Sequence, residues 1–153
     1  MRRHVGAAVG MALLVCLMAA GQRGGAQEKP EVKGTLKVKI HYKGAGKVDD
    51  KHKVMVFLFD SPEFMRGSAM PFTMLSTDSK DGVVTFPEVA KSPVYVGAIY
   101  DPKGVYDGVS GPPPSGASMG AYSSKPGEAA PVNIAGGKTA SVEVSFDDSV
   151  KMQ

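Results

Sequence analysis

Apolar and polar residues alternate with period two along most of the chain after residue 34. In Thr35-Leu-Lys-Val-Lys-Ile-His-Tyr42, Leu36, Val38, Ile40 and Tyr42 share one face, and Thr35, Lys37, Lys39 and His41 share the other. Side chains on a strand point alternately to its two faces, so this spacing predicts a half-buried strand. Its lysine face suits a sheet edge, where charge discourages pairing with another chain. "VMVFLFD" (54–60) is apolar on both faces and predicts a central strand. "PFTMLST" (71–77), "VVTF" (83–86), "PVYVGAIYD" (93–101), "APVNI" (130–134) and "TASVEVSF" (139–146) complete a set of seven predicted strands. No window shows sustained helical spacing, and Gly or Pro punctuates the gaps. Half-apolar sheets must bury their faces against one another. The expectation is therefore all-β: one antiparallel seven-stranded β-sandwich over residues 34–148.

The N-terminal residues read differently. Arg2 and Arg3 precede an apolar run from Val5 to Ala20, which is short for a membrane span. Small residues follow, with cleavage expected after Ala26 or after Gly21. This is the pattern of a secretory signal peptide over 1–26, and it places the mature protein in the periplasm or outside the cell. Residues 27–33, "QEKPEVK", form a short tether. The single cysteine, Cys16, lies within the apolar run after Val15, where lipid attachment wants a small residue. It leaves with the signal, so the mature chain must be stable without disulfides.

Removing the signal changes the charge picture. It carries three of the 18 basic residues and none of the 15 acidic ones, leaving 15 of each. A neutral chain lacks the basic stripe that nucleic-acid binding needs. The remaining length suits one domain with one core.

One stretch resembles a known family. "DGVVTFPEVAKSPVYVGAIYD" (81–101) runs from a glycine through an alternating strand with Phe86 to a short loop and a tyrosine strand at Val94-Tyr95-Val96. This order is similar to the prealbumin-like (transthyretin-like) sandwich of carboxypeptidase regulatory and Cna-B-type domains, although Ser92-Pro93 stands where those domains usually carry Pro-Gly. "YDPKGVYDG" (100–108) also resembles small secreted bacterial sandwich proteins in which an Asp-rich loop follows the tyrosine strand. Both resemblances imply a binding or accessory module without a catalytic site.

Candidate chemistry concentrates in residues 101–122, where nine positions are Gly or Pro. Tyr100, Tyr106 and Tyr122 flank a stiff Pro112-Pro113-Pro114 run, a composition suited to contact with a protein or an envelope polysaccharide. The 61–70 loop is a second candidate contact. Asp101 and Asp107 offer oxygens of the kind that Ca²⁺ takes, with Asp78, Asp81, Asp147 and Asp148 as further ligands if the loops converge. Met65, Met70 and Met74 lie within ten residues and offer thioethers to Cu(I); methionine also fills core gaps. Gly116-Ala-Ser118-Met-Gly120 matches the G-x-S-x-G of serine esterases. That motif needs a strand–turn–helix and a later histidine, and neither follows Ser118. Glu63, Glu88 and Glu128 lie on separate loops and form no carboxylate pair. The sequence thus predicts a non-catalytic module that contacts its partner through 101–122, with a Ca²⁺ or Cu(I) site as the first alternative and a small esterase using Ser118 as the last.

Overall fold

The computed structural model describes residues 33–153; the expected signal peptide and most of the tether lie outside the described residues. Among the described residues no helix is long and apolar enough to cross a membrane. The chain is all-β. Its strands are β1 (Gly34–Tyr42), β2 (Val54–Phe59), β3 (Thr73–Thr77), β4 (Val83–Val89), β5 (Tyr95–Tyr100), β6 (Ser118–Ala121), β7 (Ser123–Lys125), β8 (Glu128–Ala129) and β9 (Thr139–Phe146). A three-stranded sheet has the order β4-β1-β9, a four-stranded sheet the order β3-β2-β5-β6, and β7 pairs with β8.

The alternation in β1 works as the residues require: Leu36, Val38, Ile40 and Tyr42 are buried, whereas Lys37 and Lys39 face water. The strand is not at an edge, however. It lies between β4 and β9, and its lysines project from the outer face of the sheet. Nor is the fold wholly antiparallel, because β1 and β9 pair in parallel from Thr35↔Thr139 to Tyr42↔Phe146. Parallel neighbours need a long crossover. Here the whole four-stranded sheet intervenes between them in the chain.

Two further corrections concern which segments pair. Residues 130–134 make only an isolated bridge, Val94↔Val132, although Val132 and Ile134 are buried in the core. Conversely Ser118–Ala121, within the predicted loop, forms β6 against β5. Small residues explain why it fits: a side chain at Gly120 would collide with Phe146 of β9.

One core joins the two larger sheets. Leu36, Val38 and Ile40 of β1, Phe86 of β4 and Val144 of β9 meet Val54, Val56 and Leu58 of β2 and Val96 of β5. Each such aliphatic side chain taken from water contributes about 1.5–3 kcal/mol. The opposite face of β2 is also covered. Phe57 and Phe59 point away from this core yet are only 3% and 8% exposed. A 3-10 turn at Pro62–Arg66 supplies part of the cover, with Phe64 stacked on Phe59 at 4.2 Å between ring centroids. Ser61 caps the turn by accepting from the Glu63 N–H, and Gly67 closes it at φ 75°.

Candidate functional site

The loop of Asp101–Ala117 folds back over the same outer face. Asp101 is buried and starts the return: its carboxylate accepts the N–H groups of Lys103, Val105 and Tyr106 at 2.8–3.0 Å. Tyr106 then lies 6.2 Å from the Phe57 ring, centroid to centroid. Gly108, at φ 82°, passes close to the Met74 sulfur in a left-handed conformation that disfavours a side chain. Asp107 closes a second turn by accepting from the Ser110 hydroxyl and from the Val109 and Ser110 N–H groups. These bonds, the Ser110 hydroxyl foremost, hold its carboxyl down to about 2.

At the root of the loop a polar network joins the two sheets. The Asp148 carboxylate accepts from the Ser118 and Tyr42 hydroxyls, both at 2.6 Å, and from the Ala45 N–H at 2.9 Å. Those donors hold the Asp148 carboxyl down to about 2, Ser118 being the largest influence. Burial, then the neighbouring Asp148, pushes the Tyr42 phenol above its ordinary range. Tyr100 packs 4.4 Å from Tyr42 between centroids and donates to the Lys47 carbonyl. Lys80 reaches over the Tyr42 ring to the Gly44 carbonyl.

The predicted site residues separate accordingly. Tyr100 is buried, Tyr106, Tyr122, Pro113 and Pro114 are half-buried, and only Pro112 of that set is exposed. Of the three tyrosines, Tyr100 and Tyr122 pack with the inner core, and Tyr106 packs against Phe57 on the outer face of β2. Asp101 and Asp107 each satisfy their own turn. Ser118 is 1% exposed, and its hydroxyl donates to Asp148 rather than to a base. His41 bonds Asp81, and His52 bonds Asp49. Among the described residues no three His, Cys, Asp or Glu side chains converge on a metal position. Of the methionines, Met74 lies under Gly108, whereas Met70 is widely exposed.

An opening remains between β3 and β4. Phe72, Thr73 and Leu75 from one sheet and the Phe86–Lys91 segment of the other line a groove of about 390 Å³. Phe72 and Leu75 are 37% and 38% exposed. Lys91 lies 4.8 Å above the Phe72 ring and pairs with Asp60 at 2.7 Å. The opposite side of the fold is closed by the C-terminal segment. There Gly116 N–H donates to the Met152 carbonyl, Met152 N–H to Ala117, and Met119 N–H to Val150. The exposed Met70 and Phe72 lie on the chain just before β3, within or beside the 61–70 loop that the sequence offered as a second contact. Leu75 and the Pro87–Glu88 irregularity of β4 carry no sequence signal of exposure.

Compared with known protein families and with curated proteins, the chain matches none.

Proposed function

We propose that this chain is an exported, non-catalytic binding module, a prealbumin-like sandwich whose contact surface is the groove between β3 and β4. One observation carries the reading. The outer face of β2 and the β6 edge are covered by the chain's own segments, whereas Phe72 and Leu75 stand half-open in the groove. Apolar side chains held together at a surface mark interaction sites. The lining is mainly hydrocarbon, which favours a protein partner over the envelope polysaccharide that the loop composition also allowed. Export rests on the N-terminal pattern, and the prealbumin-like architecture on the resemblance at 81–101 and the single core between two sheets.

The test pairs two variants of the mature chain, used to capture proteins from the secreted and envelope fractions of the producing organism. Phe72→Ser with Leu75→Ser is expected to lose a partner that Val105→Ser with Val109→Ser retains. Capture that ignores the first pair and fails with the second returns the contact surface to the 101–117 loop. N-terminal sequencing of the exported protein should begin at Gln22 or Gln27; a chain that retains Met1 rejects export by signal cleavage.

A further inference from the structure

Resting on that reading, we infer that the partner presents an extended segment with a basic side chain, which adds as a strand to the free edge of β3. The sheet order leaves β3 with β2 as its single neighbour. A strand paired on one side presents alternate N–H and C=O groups outward, ready for another chain. Proteins normally guard such edges with charge, proline, a bulge or a covering segment. Two other edges show those guards. β4 carries Pro87 and, in Glu88, a non-glycine residue at φ 53°, where its register with β1 shifts. The outer edge of β6 is taken by residues 150–152. In contrast β3, Thr-Met-Leu-Ser-Thr, has no charge and no proline, and it keeps unbroken register with β2 from Thr77↔Val54 to Thr73↔Leu58. The recognised chemistry is therefore an extended peptide backbone.

Side chains fix which face such a peptide uses. Leu75 pairs with Val56, a core residue, so it points to the inner face and into the groove. An added strand would place every second side chain on that same face, where Leu75, Phe86 and Val89 offer an apolar seat. Charge then chooses among apolar peptides. Lys91 is already paired with Asp60, whereas Glu88 forms no ion pair among the described residues. The structure holds Glu88 in a left-handed backbone as part of the groove lining. The uncompensated charge at the groove is negative, so a Lys or Arg on the incoming segment complements it. A second copy pairing through its own β3 would bring no cation, since that strand carries none.

A random heptapeptide library displayed on phage, selected against the immobilised mature protein, tests this. Selected peptides, resynthesised, are then measured for affinity and for amide exchange of the ¹⁵N-labelled protein. Expected are sequences that alternate apolar residues with Lys or Arg, whose binding slows exchange of amides within Thr73–Thr77 at least tenfold. Glu88→Gln should weaken them about threefold to fivefold, a difference that high salt erases, and Leu75→Arg should abolish binding. Peptides that need Leu75 but leave the Thr73–Thr77 amides unprotected overturn strand addition, and peptides that ignore Glu88 overturn the basic side chain; either result leaves the groove as contact surface. Selection of no Leu75-dependent sequence overturns both readings. A Leu75-dependent dimer in sedimentation assigns the edge to a second copy and overturns the inference.

Discussion

A single carboxylate, Asp148, ties the end of β9 to β1 and β6. It accepts from Ser118, Tyr42 and the Ala45 N–H. Asp148→Ala would leave two hydroxyls without their acceptor, at about 1–3 kcal/mol each where water cannot replace it. The expected result is a clear drop in Tm. Ser118→Ala, which removes one bond, should cost less; an unchanged Tm in Asp148→Ala would show that the network adds nothing. The same carboxylate sets an acid limit. Because its folded pKa is about 2, below the ordinary carboxylate value, its contribution is present above about pH 4 and is lost as pH falls toward 2. Asp107 titrates in the same direction and window. Asp148→Asn should therefore reduce, not abolish, the slope of Tm between pH 4 and 2. Tyr42 acts in the opposite sense: its raised pKa stabilises the fold below about pH 10 and that contribution is lost as pH rises further. Its phenolate absorbance should appear only as the protein unfolds. None of this was legible in the sequence, which offered Ser118 as a nucleophile and Asp148 as one acid among many. Tyr42 and Asp148 are 106 residues apart in the chain, and a hydrogen bond over that separation has no local signature.

At the scale of elements, β2 explains the long loop. A strand apolar on both faces needs two covers, and the four-stranded sheet has the core on one side only. The 3-10 turn and the Asp101–Ala117 loop supply the second through Phe64 and Tyr106. The glycine at 108 is then favoured, since the backbone is left-handed there beside the Met74 sulfur. Gly108→Ala is expected to lift the loop, destabilising it by about 1–3 kcal/mol. Limited proteolysis should cut the variant within 101–117 several times faster than the parent or Val109→Ala; equal rates would mean that the loop is not held by this contact. The two-sided apolarity of 54–60 was readable as a buried strand. What was not readable is that its second cover is a loop, because Gly and Pro signal turns without saying where the turns pack.

For the whole molecule, the two sides of the fold differ in how their strand edges end. The C-terminal segment hydrogen-bonds along β6, whereas β3 has no such neighbour among the described residues. Truncation after Ser149 is expected to expose the β6 edge, lower Tm and bring concentration-dependent association, seen as an earlier peak on size exclusion; a monomer of unchanged Tm would reject the segment as a guard. The sequence by itself determined the strands with a clean period of two, such as 35–42 and 139–146, because alternation writes burial directly into residue order. It also carried the N-terminal pattern on which the proposal of export rests. Only the tertiary structure decided that β1 and β9 run parallel, that 118–121 pairs while 130–134 fills the core, and which edge is left open. Those outcomes depend on which distant segments meet, and a repeat of two residues says which face is apolar but not what will cover it.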